Sequence, residues 1–498
     1  MNIINYFFCL ILISSSPLGS LAQHTKPNII YILADDLGYG DVSCMNEQSK
    51  IKTTHVDALA KAGMRFTDAH SNSSVCTPTR YGIMTGRYAW RSKLSNGVTW
   101  SYDSSLIEDG RKTVATMLKQ AGYATACIGK WHLGLDWGKD SSGNIDLFKP
   151  IKRGPITMGF DYFFGITASL DIPPYVYIRN DRITASSIDT IEATSGKSFW
   201  RKGPIGNDFK HEEVMPKCIE ASIEFIQEEA KKEKPFFLYL PLPAPHTPIL
   251  PTSAYKGKTG TNEYGDFVLM MDDMVGRIID AVKKAGVEEN TMIVFTSDNG
   301  CSPSANFKEL EEAGHHPSHE YRGAKADIYE GGHRVPFIVK WPKQVNDNSV
   351  SNKTISLTDF FATIAEINHQ SIEDNSGEDS YSLLPILLNN RKTRYHRADV
   401  IHHSIDGSFA IRKGKWKLEF CSGSGGWSYP TPEETESHIL PPVQLYNMKK
   451  DSSEQHNLYS KHPSLVSEMT TLMQSQIDNG RSTPGLRQQN ALSIKLLK

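Results

Sequence analysis

The chain has 498 residues, enough for two to four domains, and 39% of them are hydrophobic, enough for a large buried core and too many for a disordered chain. Its 54 Lys and Arg against 56 Asp and Glu give a net charge of −2, so no basic excess exists to drive nucleic-acid binding, and an anionic ligand would need a local basic cluster. No apolar stretch reaches the roughly eighteen residues of a membrane span.

The N-terminus reads as an export signal. A short apolar run, Phe7 to Ile13, is followed by small residues up to Leu21-Ala22-Gln23, although no Lys or Arg precedes the run. Residues 1–22 are therefore expected to be removed near Ala22, leaving a periplasmic or secreted protein. Six cysteines would remain, too few in so long a chain for a disulfide framework but with room for one or two bridges.

Pro27 to Ala34 is a continuous apolar run ending in Asp35-Asp36, the pattern of a strand buried on both faces of a parallel sheet. Thr54 to Ala62 predicts a short helix, with Thr54 as N-cap, Asp57 three residues on and Gly63 as stop. Val114, Met117 and Leu118 predict another, ended by Gly122. The strand Tyr123 to Ile128 follows and runs into Gly129-Lys130-Trp131-His132. Pro235 to Leu240 is a third strand, leading to His246. Between Asp266 and Lys284 a helical stripe of Val268, Met271, Val275, Ile278, Ile279 and Val282 is stopped by Gly286, and the strand Met292 to Thr296 delivers Asp298-Asn299. Val335 to Lys340 is a further strand.

Strands alternating with helices predict an α/β fold with a largely parallel sheet, in which ligands bind beyond the carboxyl ends of the strands. Asp35, Asp36, Lys130, His132, His246, Asp298 and Asn299 all fall there. After about residue 370 the texture changes. Ser371 to Ser382 is a polar loop, Phe409 to Phe420 a hairpin around Lys413-Gly414-Lys415, and Pro463 to Ile477 an amphipathic helix. We expect a catalytic domain over 23–375 and a smaller α+β subdomain with a short antiparallel sheet over 376–498.

Asp35, Asp36, Asp298 and Asn299 offer only oxygen ligands, which suit Ca²⁺ or Mg²⁺ rather than zinc. A single Asp pair after a strand more often caps a helix; two such sets at two strand ends favour a metal. In Ser74-Val75-Cys76-Thr77-Pro78-Thr79-Arg80, Pro78 suits the first turn of a helix. Cys76 then lies at the helix N-terminus, where backbone N–H groups favour an anion, with Arg80 one turn on. A thiol so placed is expected to be acidic and reactive; the alternative is a buried structural cysteine.

Cys76-Thr77-Pro78-Thr79-Arg80 resembles the C-x-P-x-R core of the sulfatases, whose cysteine is oxidised to formylglycine, and the run through Gly86-Arg87 continues the match. Ala34-Asp35-Asp36-Leu37-Gly38, Gly129 to Gly134, Ser297-Asp298-Asn299-Gly300, and Lys325 with Tyr329 to Gly332 resemble the other signatures of that family in the same order. The similarity spans Pro27 to Leu458. It implies an alkaline-phosphatase-like sandwich, with a mostly parallel central sheet flanked by helices, and hydrolysis of sulfate esters. It also implies conversion of Cys76 by a formylglycine-generating maturation enzyme, and one Ca²⁺ held by Asp35, Asp36, Asp298, Asn299 and an oxygen of residue 76. Arg80, Lys130, His132, His246 and Lys325 would line the sulfate pocket.

On that reading the hydrated aldehyde is a gem-diol. One oxygen takes the sulfuryl group, and the other hydroxyl collapses to the aldehyde and expels sulfate, so water never attacks sulfur. Asp298 would help deprotonate the attacking hydroxyl. His246, helped by Lys325, would protonate the leaving alcohol, and His132 would act as base in the collapse.

The loop Ser169 to Tyr175 carries Asp171 after an aromatic-rich segment, and Trp100, Tyr102 and His211 add to a mixture that suits sugar hydroxyls and faces. His315, His316, His319 and Arg322 crowd the loop before Lys325. There His316 and Arg322 are expected to form a pocket wall, whereas zinc at His315 and His319 lacks a further ligand pair. Export and a polar pocket predict a sulfated carbohydrate, an algal polysaccharide or glycosaminoglycan fragment, with 6-O-sulfated galactose or N-acetylgalactosamine as the favoured sugar. The alternatives are a phosphomonoester or phosphonate hydrolase of the same superfamily, and an exported sulfated-glycan binder whose Cys76 stays unconverted.

Overall fold

A computed structural model describes residues 26–389, 394–435 and 440–497. The expected export signal and its Cys9 lie outside the described residues. The first apolar run forms β1 (Asn28–Ala34), every residue of which is buried. Its alternate side chains enter two different cores: Ile30, Ile32 and Ala34 face one, and Ile29, Tyr31 and Leu33 the other. That division explains why the run is continuously apolar, since a strand covered on both faces has no solvent side to mark with polar residues.

Nine further strands complete the large sheet: β2 (Met64–Phe66), β3 (Ala124–Lys130), β4 (Tyr162–Ile166), β5 (Ile178–Arg179), β6 (Arg182–Ile183), β7 (Phe236–Pro241), β8 (Thr291–Ser297), β9 (Phe337–Lys340) and β10 (Ser349–Ser351). Their order is β10-β2-β9-β8-β1-β7-β3-β4-β5-β6. The central strands β8, β1, β7, β3 and β4 are parallel. The Val335–Lys340 run differs in two ways. It begins at Phe337, and it runs antiparallel to β8. An apolar run encodes burial but not direction.

Helices cover both faces. On one lie α1 (Thr54–Lys61), α4 (Val214–Glu229) and α5 (Glu263–Lys284); on the other lie α2 (Cys76–Thr85), α3 (Val114–Gln120) and α6 (Asp359–Ile367). The cap of α1 is shifted by one residue from the expectation. Thr53 is the N-cap, and its hydroxyl donates to Asp57 (3.0 Å) instead of capping a backbone amide. Helix α5 starts three residues early because the Asn262 side chain accepts from the Tyr264 and Gly265 amides.

The C-terminal part is a four-stranded antiparallel sheet, β11 (Asp399–His403), β12 (Phe409–Lys413), β13 (Trp416–Glu419) and β14 (Gln444–Asn447), with β12 and β13 forming the expected hairpin. Helix α7 (Pro463–Asp478) packs Met469, Met473 and Ile477 into a core shared with Tyr88 and Trp90 of the large unit. All six cysteines among the described residues are free, so the bridges the sequence left room for are not made there. No helix among the described residues is long and apolar enough to cross a membrane.

Candidate active site

The parallel strands end on one side of the sheet, and the chain leaves four of them carrying chemistry. Asp35 and Asp36 follow β1, Lys130 closes β3 with His132 two residues on, His246 lies in the loop after β7, and Asp298 and Asn299 follow β8. Asp36 and His132 both hold left-handed backbone (φ 65° and 56°), a conformation disfavoured for non-glycine residues and frequent at functional sites. The loop after β8 is fixed from behind. A Cβ on Gly300 would come within 1.8 Å of the Gly331 carbonyl, so two sequence motifs far apart in the chain meet backbone to backbone.

Cys76 is the first residue of α2 and is buried, with Sγ 3.6 Å from Asp35 Oδ1. Three cations pair with the three carboxylates, and Arg80 Nη2 also lies 3.5 Å from Asp35 Oδ1. Lys130 Nζ donates to Asp35 (2.6 Å), Lys325 Nζ to Asp36 (2.7 Å), and Arg80 to Asp298 through Nε (3.0 Å) and Nη2 (2.7 Å). Arg80 Nη1 donates to the Lys130 carbonyl (2.9 Å). One ligand atom each from Asp35, Asp36, Cys76 and His246 lies within 4.8 Å of the others, and the Asp36 amide donates to Asp298 Oδ1 (3.2 Å).

Burial alone would raise the Asp35 carboxyl, but Lys130, His246 and Arg80 hold it well below the usual carboxylate range. Asp298 is raised, first by burial and then by the charge of Asp35. The expectation of an acidic thiol at Cys76 is overturned. Burial pushes it up to about 12 despite Lys130 and Lys325, so the helix N-terminus does not make this sulfur a nucleophile at neutral pH.

The two histidines are held in defined tautomers. His132 Nε2 lies 2.9 Å from the Thr99 carbonyl and must donate to it, which leaves the buried Nδ1 unprotonated and without a hydrogen-bond partner. Burial, with Lys130 and Arg80 nearby, holds His132 well below the ordinary imidazole value, hence neutral. His246 Nδ1 donates to the Thr247 carbonyl (2.5 Å), which leaves Nε2 facing Asp36 Oδ2 at 3.6 Å.

The donor set fits a hard cation. Asn299 uses Nδ2 on Asp36 (2.7 Å) and the Gly300 carbonyl (3.0 Å), leaving Oδ1 buried with no hydrogen-bond partner on a side chain that touches Asp36. An orphaned buried acceptor among anions is an oxygen site for Ca²⁺ or Mg²⁺.

Of the expected substrate residues, Asp171 and His211 share one wall. Asp171 Oδ1 is 4.0 Å from His246 Nδ1, the Tyr175 hydroxyl donates to the Asp171 carbonyl (3.1 Å), and His211 packs against Tyr175 (centroids 4.6 Å) and stacks on Trp200 (4.2 Å). Burial lowers His211 to about 4. Tyr102 is exposed. Arg322 is half-buried against the smaller unit. Its guanidinium lies 3.9 Å from the Tyr329 ring centroid and donates to the Glu454 and Tyr429 carbonyls of the smaller unit. His316 is exposed, and the buried His315 is bound to Asp41 (2.8 Å); no cluster of three metal-type ligands among the described residues joins His315 to His319. Sequence reasoning missed Thr99, which orients His132, and Arg201, which pairs with Asp171. Neither carries a local signal.

Comparison with known proteins bears on this arrangement. The family model described as Sulfatase matches residues 27–368. The chain is 34% identical to an N-acetylgalactosamine-6-O-sulfatase of Bacteroides thetaiotaomicron, with 90% of this chain and 93% of that protein covered. It is 27% identical to an N-acetylgalactosamine-6-sulfatase of Sus scrofa, with 89% and 84% covered. A solved structure from the glycosaminoglycan metabolism of Bacteroides thetaiotaomicron superposes with a TM-score of 0.80 at 32% identity, over 91% of this chain and 99% of the other.

Proposed function

This chain belongs to the sulfatase family of sulfuric-ester hydrolases, and we propose that it removes a 6-O-sulfate from N-acetylgalactosamine or galactose in a sulfated glycan. The observation that carries the reading is the hollow at the strand ends, where Cys76 sits among Asp35, Asp36 and His246 with Lys130 and Lys325 beside them. The named activity of the bacterial and porcine relatives supports the choice of sugar. Export, a catalytic unit over 23–375 and a C-terminal unit over 376–498 belong to the same reading.

Residue 76, as formylglycine made by a maturation enzyme, would supply a gem-diol nucleophile, and Ca²⁺ held by Asp35, Asp36, Asp298 and Asn299 would supply positive charge to it and to the sulfate. The chain's own groups do the rest. Lys130 and Lys325 bring ammonium groups to the non-bridging sulfate oxygens, whose negative charge would otherwise repel the incoming oxygen nucleophile. Arg80 gives three hydrogen bonds to Asp298 and the Lys130 carbonyl, so it positions a metal ligand and a sulfate-binding strand end together. His132 offers a lone pair at Nδ1 and acts as a base. His246 holds Nδ1–H on Thr247 and presents Nε2 to the leaving oxygen, to which it delivers a proton once the ring is protonated at both nitrogens.

The test is sulfate release by enzyme co-expressed with a maturation system. The panel is N-acetylgalactosamine and galactose sulfated at position 6, 4 or 2, with phosphate monoesters alongside and peptide mass across residue 76 measured in parallel. Release from the 6-sulfates by converted protein is the expected result. Faster phosphate than sulfate release, or an unmodified thiol in active protein, overturns the reading.

A further inference from the structure

Trp100 and Tyr102 are large aromatic side chains that the fold leaves in solvent, 48% and 44% exposed. They stand on one turn, closed by the Asp103 amide donating to the Trp100 carbonyl (3.0 Å) and the Trp100 amide donating to Asp103 Oδ2 (2.7 Å). The turn is tied to the sulfate hollow by two routes. Thr99, which precedes it, accepts from His132 Nε2 and donates its hydroxyl to the His132 carbonyl (3.3 Å). On the other side Arg201 Cζ lies 5.1 Å from the Trp100 ring centroid and 5.0 Å from that of Phe199. Arg201 Nη1 donates to the Asp171 carbonyl (3.1 Å) and carboxylate, and Asp171 faces His246. Both Arg201 hydrogen bonds leave from Nη1. The Nε–Nη2 edge, the pair of donors that grips an oxyacid group bidentately, has no hydrogen-bond partner among the described residues.

We propose that Trp100 and Arg201 form a second sugar subsite beside the sulfate hollow. The open face of the indole stacks on the pyranose next to the sulfated one. The Nε–Nη2 edge of Arg201 takes an acidic group of that neighbouring sugar, either a uronate carboxylate or a second sulfate ester. An aromatic ring held by a cation on one face presents a rigid, apolar platform on the other, at little cost in side-chain entropy. The subsite rests on the carbohydrate reading above and extends it. It makes the enzyme favour a sulfated sugar inside a chain over the free monosaccharide.

The test compares three substrates for the converted enzyme: N-acetylgalactosamine 6-sulfate, a disaccharide joining it to a uronic acid, and a disaccharide joining galactose 6-sulfate to a second sulfated galactose. Trp100→Ala is expected to lower the ratio of kcat/KM on the disaccharides to that on the monosaccharide about tenfold, at an unchanged melting temperature. Arg201→Lys keeps the charge and loses the bidentate edge. A loss confined to the uronate substrate identifies the carboxylate as its ligand, and a loss confined to the disulfated one identifies sulfate. An unchanged ratio in Trp100→Ala overturns the subsite, and no selective loss in Arg201→Lys overturns the part of Arg201. Calorimetric binding of the same sugars to Cys76→Ser reads the subsite without turnover. Wild-type protein that releases no sulfate, while Cys76→Ser still prefers disaccharides through Trp100, defeats the sulfatase reading and leaves the subsite standing.

Discussion

Two clusters of buried charge flank the loop that leads into Cys76, and they are built differently. The first is the strand-end hollow. The second joins the large unit to the C-terminal sheet. There Asp68 takes Arg412 (3.1 Å) and Arg334 (3.3 Å), and Lys417 Nζ reaches Glu454 (2.6 Å), Glu419 (3.2 Å) and Glu330 (3.4 Å). Three histidines, His70, His333 and His402, bring ligand-type nitrogens within 4.8 Å of one another, as a metal site would. Yet the rings of His333 and His402 are stacked, centroids 3.9 Å apart and tilted by only 8°, so no single ion can lie in the plane of both. Their nitrogens serve one another instead. His333 Nε2 lies 3.0 Å from the Ile328 carbonyl and 3.1 Å from Lys417 Nζ, His333 Nδ1 lies 3.1 Å from His70 Nδ1, and His70 Nε2 lies 2.9 Å from Asp68. Both clusters keep buried polar atoms without a hydrogen-bond partner among the described residues, His402 Nε2 in the second and Asn299 Oδ1 and His132 Nδ1 in the hollow. Residue types and unpaired atoms do not separate the two clusters; the stacking of His333 on His402 in one, and the gathering of Asp35, Asp36 and His246 around Cys76 in the other, do.

The sharpest way to break the comparison is Lys417→Met. It leaves Glu330, Glu419 and Glu454 buried without their shared cation, and the loss of stability is expected to be about 3–5 kcal/mol, read by urea unfolding. Because the His403 carbonyl accepts from the Ser74 amide (3.0 Å) and the His333 carbonyl from the Ser71 amide (2.8 Å), the same variant loosens the loop before Cys76. An unfolding midpoint equal to wild type would mean that the second cluster does not hold the units together.

The next largest effect comes from chelation. If the hollow binds an ion and the second cluster does not, exhaustive EGTA treatment lowers stability by about 3 kcal/mol relative to saturating Ca²⁺, the linkage expected at a free ion concentration on the order of a hundred times Kd. The His70→Phe variant shows the same Ca²⁺-dependent shift. A shift that disappears in His70→Phe would move the ion to the histidines.

What was legible in the sequence follows from how local the signal is. The ends of parallel strands meet by a general rule, so Asp35, Lys130, His246 and Asp298 could be gathered from chain-local patterns alone. Asn299 and Asp36 are 263 positions apart, as are His70 and His333, and their contacts depend on strand order, which no local pattern encodes. Arg201 next to Asp171 has the same cause. The direction of Phe337–Lys340 was unreadable because apolar runs look alike either way. The thiol was misjudged for an energetic reason. The pull of a helix N-terminus is a few tenths to about 2 kcal/mol, less than the desolvation of a fully buried thiolate.

The smallest expected effect separates the clusters by pH. Burial first, and then neighbouring cations or imidazoles, holds His70, His333 and His402 below the ordinary imidazole value in the folded state. A histidine whose folded pKa is depressed stays neutral while its unfolded counterpart takes up a proton below about pH 6.5, so its contribution to stability is present above that pH and is lost as pH falls. Raised carboxyls nearby, Glu419 and Glu454, act in the opposite sense, because the folded state takes up their protons first. The net slope of the wild type therefore says little, whereas the difference from a variant isolates one ring. His402 faces His70, Lys417 and Glu330 by charge and hydrogen-bonds the Ser71 carbonyl (3.2 Å) through Nδ1–H. In His402→Phe the steepness of stability loss between pH 6.5 and 5 should be smaller by up to about 1.4 kcal/mol per pH unit. Urea unfolding at pH 7, 6 and 5 measures it. Parallel curves for variant and wild type would show that His402 is protonated in the folded protein, against the neutral Nδ1–H ring drawn on the Ser71 carbonyl.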